Sequence, residues 1–498
     1  MSEHKTVEQL DAEAKKVLDV IRAKEKAGAL LPKDRLAIPA QEMPAQEPKK
    51  RARVMSEVAL GYTEAQAVAE ASRCLKCKNK PCVDGCPVAV PIPEFIDETA
   101  KGDFKKAADI IKTTNLLPAI CGRVCPQETQ CQGLCTLGKS LKDPEKAVSI
   151  GRLERFVADW ERGRGMQTAP AVARETGKRV AVIGSGPAGL TVAADTRRAG
   201  HAVTVFEAFH KPGGVMVYGI PEFRLPKAIV ASEVDMLAKM GAELRTNFLV
   251  GRTGTLPQLL KEQGYDAAFI GTGAGLPKFL GIEGEQLIGV FSANEYLTRA
   301  NLMKAYDVGR ADTPLFPASN VAVCGGGNVA MDAARMALRL GAEKVTVVYR
   351  RTRVEMPARR EEVAHAEEEG VVFRFLENPV KILGDEKGMV RGVVALSYEL
   401  GEPDESGRRR PVAVKGSEHE IACDAVIVAL GNDSNPLMAR TTPGLNTDKW
   451  GHVTVDEKQK TSYPACWAGG DIVLGAATVI LAMGEGRRAA AAINEYLA

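Results

Sequence analysis

Eight of the eleven cysteines in the chain fall between Cys74 and Cys135. They form two groups of four: RCLKCKNKPCVDGCPV carries Cys74, Cys77, Cys82 and Cys86, and CGRVCPQETQCQGLC carries Cys121, Cys125, Cys131 and Cys135. Such crowding has three physical explanations: disulfides, zinc or iron–sulfur clusters. Disulfides fit poorly, because the opening MSEHKTVEQLDAEAKK shows no apolar signal-peptide core leading to an oxidising compartment. Zinc is a fair rival, since a CxxC pair grips a tetrahedral ion. A zinc site, however, rarely gathers four cysteines so closely and ends in Cys-Pro. Bacterial ferredoxins use CxxCxxC followed by Cys-Pro, and CxxCxxxxCxxxCP is a looser version of that run. Eight thiols suffice for two [4Fe–4S] cubanes, so spacing favours clusters.

The chain has 498 residues, room for about three domains of ~150 residues each. Its 66 basic and 63 acidic residues leave a net charge of +3, which gives no nucleic-acid footprint. No apolar run reaches the ~18–20 residues of a membrane span. The expectation is a cytoplasmic protein. The six histidines are scattered and form no ligand-spaced pair.

Residues 1–37 read as an N-terminal extension with a helical arm over 7–26, in which Leu10, Ala14, Leu18 and Ile21 recur at helical spacing. An extended connector over 31–48 follows, then a helix over 63–73 that delivers the chain to Cys74. Between the cysteine groups, IPEFIDETAKGDFKKAADIIKTTN predicts two helices broken near Gly102. AVSIGRLERFVADWE predicts a helix that returns Glu154 toward the cysteines. Residues 38–170 are thus expected to form a helical iron–sulfur domain, with a loose linker over 167–176.

KRVAVIGSGPAGLTVAADTRRAGHAVTVFEAF reads as strand, glycine turn, helix, strand. Gly184, Gly186 and Gly189 make GxGxxG, and Glu207 stands where an acid binds a ribose hydroxyl. The helix N-terminus after the turn attracts a pyrophosphate. A second unit, NVAVCGGGNVAMDAARMALRLGAEKVTVVYRR, carries Gly325, Gly327 and Asn328. Its strand ends in Arg350 and Arg351, and arginine there suits a 2′-phosphate, predicting NADP(H). Arg353, Arg359 and Arg360 extend that basic cluster. DAAFIGTGAGLP and DAVIVALGNDSNP, with Gly273 and Gly431, read as the two crossings between nucleotide domains. Near the end, Gly470 and Asp471 precede a helix starting near Ala477 and Thr478, placed to face a flavin. The expected boundaries are 178–290 plus 430–498 for FAD and 291–429 for NADP(H).

The cysteine run together with GSGPAGL, GGVMVYGIPEFRLPK (Gly213, Gly214), GGGNVAMD with YRR, and AGGDIVLGAATVILAMGEGR resembles the small (beta) subunit of NADPH-dependent glutamate synthase. The nearest likeness is to a relative, the large subunit of NADH-dependent reduced ferredoxin:NADP⁺ oxidoreductase, and the N-terminal half of dihydropyrimidine dehydrogenase is similar too. The resemblance runs from about Ile38 onward. It implies an α/β fold: a helical domain with two [4Fe–4S] clusters, then two Rossmann-like, glutathione-reductase-like domains for FAD and NADP(H). It implies one cluster on Cys74, Cys77, Cys82 and Cys135. The other would sit on Cys86, Cys125, Cys131 and Glu154, leaving Cys121 out. Arg224 in GIPEFRLPK is the candidate cation near the isoalloxazine, with a surface or pyrophosphate role as the alternative. No acid–base triad is needed for such electron transfer, and none is present.

The resemblance implies a subunit of a hetero-oligomer. The first expectation is an electron-bifurcating transhydrogenase, with a ferredoxin-NADP-reductase-like flavoprotein and ferredoxin as partners. The alternative is electron supply to a glutamate synthase large subunit; a further one is a scaffold subunit that keeps cofactors only as structure.

Overall fold

The computed structural model describes residues 4–28, 30–404 and 407–498; residues 1–3 and 29 of the N-terminal extension lie outside that set. The arm forms one helix, Val7–Ala27, with Leu10, Ala14, Leu18 and Ile21 buried along one face. Its Thr6 hydroxyl accepts from the Gln9 amide while the Gln9 side chain returns to the Thr6 amide, a capping box. The arm packs on helix Glu64–Ala71, where Leu18 and Ile21 meet Ala69. The connector is not extended throughout. It opens with helix Pro32–Ala37, because Pro32 starts it and Asp34 accepts from the Leu31 amide.

The cysteine-bearing region is helical, as its sequence pattern predicts. Helices Ile92–Lys101 and Phe104–Lys112 are separated by Gly102, whose φ of +83° is the left-handed stop glycine adopts readily. Helix Pro118–Val124 then packs against helix Ile150–Gly163. The approach is close: a methyl group on Gly122 would lie 2.5 Å from the Arg155 amide nitrogen. This contact places Cys121 and Cys125 beside Glu154.

The first glycine-turn unit contributes strands β1 (Arg179–Ile183), β2 (Ala202–Phe206), β3 (Glu243–Arg245) and β4 (Ala267–Ile270). Strands β5 (Leu276–Pro277) and β6 (Val290–Ser292) lead into the second unit. There follow β7 (Asn320–Cys324), β8 (Lys344–Tyr349), β9 (Val372–Phe375), β10 (Glu377–Gly384), β11 (Val390–Pro403), β12 (Arg409–Ala413), β13 (His419–Ala422) and β14 (Ala425–Val428). The chain returns through β15 (Asn432–Asp433) to β16 (Cys466–Ala468). Two parallel five-stranded sheets result, β16-β4-β1-β2-β3 and β6-β14-β7-β8-β9. Their central strands read as nearly unbroken apolar runs because both faces are covered. In the second sheet one face packs on helices Asn328–Arg339 and Arg360–Glu368 and the other on β10, β11 and β13. The last strand of the first sheet comes from the end of the chain, so the second unit is inserted within the first. At the two crossings β5 and β15 pair antiparallel. The antiparallel strands β10–β13 form a separate small sheet.

The helical domain and the two sheet units meet at buried ion pairs. Glu369 accepts from Arg335 at 2.7 Å, Arg339 at 2.7 Å and Arg51 at 3.2 Å. Arg339 also lies 3.8 Å over the Phe223 ring, which joins the first unit to this node. Burial alone would raise the Glu369 pKa, but Arg335 and Arg339 outweigh it and hold it at about 2, from an ordinary 4.5. Its folded pKa is depressed, so it stabilises the fold above about pH 4.5 and loses that contribution as pH falls toward 2. Glu369→Ala would leave buried Arg339 without a carboxylate and Arg51 and Arg335 with one each, Glu368 and Glu362, and is expected to cost about 3–5 kcal/mol. Thermal denaturation at neutral pH measures this, and a variant as stable as the parent contradicts it.

Candidate functional site

A cleft of about 470 Å³ opens above the C-terminal ends of β1 and β4, within the range that holds a cofactor. Gly184 turns there with φ +97°, and a methyl group on it would lie 2.4 Å from the Gly271 carbonyl oxygen. Gly189 lies beneath, where a methyl group would come 2.0 Å from the Gly184 carbonyl oxygen. Helix Pro187–Arg198 has no side-chain cap at Gly186, so its first N–H groups remain available for an anion. Glu207 is buried and fixed in place: its carboxylate accepts from the Ser185 amide at 3.0 Å and the Phe209 amide at 2.8 Å. Ser185 donates its hydroxyl to the same carboxylate and accepts from the Gly213 amide at 2.9 Å. Ser185 is a residue the motif leaves as a free position, yet it locks the acid to the turn.

Gly184, Gly186, Glu207, Gly214, Gly273, Gly470, Asp471, Ala477 and Thr478 all line this cleft. Gly189 and Gly213 support it from behind, and Gly431 sits at the crossing, where its carbonyl accepts from the Lys278 amide at 3.0 Å. Burial raises the Asp471 pKa to about 6, opposed by a bond from the Ala477 amide. Thr478 caps helix Val479–Leu497. Arg224 lies elsewhere: its guanidinium spans both Asp332 carboxylate oxygens at 2.7 and 2.6 Å. The neighbouring Phe223 packs on Arg335 and Arg339, which turns Arg224 toward the second unit and away from the cleft.

The second glycine turn is equally constrained. A methyl group on Gly325 would lie 2.4 Å from the Ala429 carbonyl oxygen. Gly327 starts helix Asn328–Arg339 with no side-chain cap, another free helix N-terminus. The two arginines after β8 differ in placement. Arg350 is exposed. Arg351 is buried, donating to Asp404 at 2.8 Å and to the Arg409 carbonyl at 2.7 Å, and so ties β8 to the small sheet. Arg353 pairs with Glu367, and Arg360 with Glu145 at 2.6 Å. Arg359 is buried, with contacts toward the cysteine-bearing domain.

The thiols fall into two sets. Burial pushes Cys74 to about 11 and Cys82 to about 12, and both also feel Cys135; Cys74 feels Cys77 as well. In the second set Cys86, Cys125 and Cys131 share one small cavity with Cys121 and Glu154. Burial raises the Glu154 pKa to about 8, opposed by a 2.7 Å hydrogen bond from the Asn115 amide. Cys121 donates to Asn115 Oδ1 at 3.8 Å and touches Met483 Sδ at 3.6 Å. The second set thus lines a common cavity, which suits a cubane, in which each iron takes one ligand, whereas zinc needs every sulfur about 2.3 Å from one point.

Helix Val479–Leu497 separates the two regions. Val479 and Ala482 line the cleft, and Ile480 lines the thiol cavity. The Cys86–Pro87 turn rests on this helix: a methyl group on Gly484 would lie 2.9 Å from the Pro87 carbonyl oxygen.

Residues 51–166 match the family described as dihydropyrimidine dehydrogenase domain II, 4Fe-4S cluster, and residues 178–494 match pyridine nucleotide-disulphide oxidoreductase. The protein is therefore an NAD(P)H-dependent oxidoreductase, a flavoprotein that uses FAD, NADP(H) and 4Fe–4S iron. Among its relatives, the glutamate synthase [NADPH] small chain of Halomonas elongata is 38% identical over 91% of this chain and 96% of its own length. The corresponding Escherichia coli small chain is 39% identical over 88% and 92%. The beta subunit of the Moorella thermoacetica NADP(+)-dependent formate dehydrogenase is 40% identical over 84% of this chain and 60% of its own. The chain belongs to the family of glutamate synthase small chains. Mycobacterium tuberculosis FprA in complex with NADPH shares the fold, with a TM-score of 0.54 and 20% identity over 64% of this chain and 85% of that one.

Exposed Arg350 and buried Arg351 predict different phenotypes. Arg350→Ala should lower the preference for NADPH over NADH roughly 10-fold or more, the scale of one charge-assisted hydrogen bond of about 1.5–3 kcal/mol. Arg351→Ala should chiefly lower thermal stability. Dissociation constants for both nucleotides test this; an unchanged ratio in Arg350→Ala rules out its role.

Proposed function

We propose that this chain takes hydride from NADPH and delivers single electrons through two [4Fe–4S] clusters to the glutamate-forming large subunit of a glutamate synthase. What carries the reading is the near end-to-end relation to glutamate synthase small chains, joined to a single helix walling both cleft and thiol cavity. The electron-bifurcating transhydrogenase, ranked first from sequence, uses the same cofactors. The names of the relatives favour the glutamate synthase reading over it.

When bound, the isoalloxazine exchanges an electron pair with nicotinamide and single electrons with the cubanes. The protein's part is to hold and orient. In the first unit Gly184, Gly186 and the helix start take the FAD pyrophosphate, Glu207 takes the ribose, and Asp471, Ala477 and Thr478 face the flavin end. In the second unit Gly325, Gly327 and Asn328 take the NADP(H) pyrophosphate, and Arg350 the 2′-phosphate. Cys74, Cys77, Cys82 and Cys135 hold one cluster. Cys86, Cys125, Cys131 and Glu154 hold the other, with Cys121 outside the set. An oxygen ligand changes cluster charge and hence potential. Cysteines that hold iron and not disulfides suit the reducing cytoplasm, where this reading places the complex. Among the described residues no helix is long and apolar enough to cross a membrane.

Anaerobic mixing of the purified chain with NADPH, glutamine, 2-oxoglutarate and a glutamate synthase large subunit tests the function: NADPH oxidation that depends on 2-oxoglutarate should occur only when both proteins are present. NADPH oxidation that proceeds only with NAD⁺ and ferredoxin would overturn it in favour of bifurcation. A chain whose bound flavin NADPH does not reduce would support the scaffold role. The ligand assignment is tested separately by Glu154→Ala, which should alter the electron paramagnetic resonance signal of one cluster and leave the other. Two unaltered signals contradict it.

A further inference from the structure

The mechanism above makes no use of Arg359, yet this side chain touches both ends of the device. It lies in the loop after β8 and is 7% exposed. The loop is stitched to the second glycine turn by two hydrogen bonds. The Ala358 amide donates to the Gly326 carbonyl at 3.2 Å, and the Arg359 amide donates to Asn328 Oδ1 at 2.9 Å. Asn328 is the first residue of the helix whose uncapped N-terminus the proposed function assigns to the nucleotide phosphates.

The guanidinium points the opposite way. Nη1 donates to the Arg123 carbonyl at 2.8 Å and Nη2 to Gln127 Oε1 at 3.0 Å. Nη2 also meets Glu361 at 3.1 Å. Gln127 is buried between Cys125 and Cys131 in the chain and lines the cavity that contains Glu154. Its amide nitrogen lies 3.4 Å from the carbonyls of Cys121 and Gly122. It also fills the space above Gly151, where a methyl group would come 2.1 Å from it. Three residues therefore connect the two sites: Asn328, Arg359 and Gln127. A planar fork fits this place, since an acceptor at the end of helix Pro118–Val124 and another just after Cys125 are engaged at once by a group that keeps its charge.

We propose that Arg359 is a positioning residue that couples dinucleotide binding at Asn328 to the thiol cavity containing Glu154, so that the occupant of one site changes the properties of the other. Filling the nucleotide site pulls on Asn328 and the 358–359 backbone, and the rigid guanidinium transmits the shift to Gln127 and to a positive charge beside the cysteine loop. Coupling of this kind is reciprocal. If nucleotide alters the cluster potential, then reduction of the cluster alters nucleotide affinity by the same factor. The function this adds is a gate: the nucleotide state tunes how readily electrons leave through that cluster. The inference rests on the proposed assignment of NADP(H) and cluster sites.

The test uses the full chain, prepared anaerobically, with iron and flavin content established first. The probe is adenosine 2′,5′-bisphosphate, which carries both phosphates but no nicotinamide and so binds without redox chemistry. In the parent protein its Kd should differ about fivefold between oxidised and dithionite-reduced protein, the low end of typical coupling. By linkage that is a shift of about 40 mV in the one-electron midpoint potential of the affected cluster. In Arg359→Ala the difference should vanish while the probe still binds. Arg359→Lys, which keeps the charge but loses the fork, should retain less than half of the shift. Arg360→Ala, altering an exposed neighbour paired with Glu145, should retain all of it. The same oxidised-to-reduced difference in Arg359→Ala or Arg359→Lys as in the parent overturns the coupling. If Arg359→Ala does not fold, the Lys variant alone decides. A parent protein that lacks iron or does not bind the probe instead defeats the underlying site assignment.

Discussion

A single helix, Val479–Leu497, makes an electron carrier possible in this fold. In its first turn Val479 and Ala482 help close the dinucleotide cleft, and Ile480 between them lines the thiol cavity. The wall is thin because glycine permits close contact. Gly484 lets the Cys86–Pro87 turn rest directly on the helix, and Gly486 lets the helix approach the Ala188 backbone of the first glycine-turn helix. Larger residues at either position would push cleft and cysteines apart. The close packing of Gly122 against helix Ile150–Gly163 does the same work one layer farther out, bringing a carboxylate among thiols that come from distant parts of the chain.

Charge is arranged as tightly as space. The helical domain is joined to the second sheet unit by arginines that reach carboxylates, Arg51 to buried Glu369 and Arg152 to half-buried Glu361. Buried ion pairs are weak sources of net stability, but breaking one is costly. Such a seam specifies one orientation of the three parts more than it strengthens the fold. A structure that must keep two redox regions in fixed register benefits from that kind of specificity.

Features with a local cause were legible in the sequence. The glycine turns and the helix break at Gly102 follow from spacing and backbone freedom, whereas spacing alone puts four thiols in each run, and grouping Cys135 with the first run and Glu154 with the other thiols comes only from the family resemblance. Features decided by long-range contact were not. Arg224 meets Asp332 across 108 residues, and Arg359 meets Gln127 across 232. Asp332 ends the GGGNVAMD run and Gln127 lies in the second cysteine run, but neither motif specifies an arginine partner. Arg351 matches the 2′-phosphate pattern as well as Arg350 does, and only the hairpin of the small antiparallel sheet, which supplies Asp404 and the Arg409 carbonyl, separates them. Ser185 occupies a free position of the glycine motif, and its role emerges only from the side chains around it.

Everything in this account requires that the two thiol sets hold iron and that the cleft holds flavin. Metal and cofactor analysis of anaerobically purified chain measures this directly. The account predicts one FAD and about eight irons per chain, as two cubanes demand. A colourless protein with zinc bound to its cysteines and no flavin would contradict it.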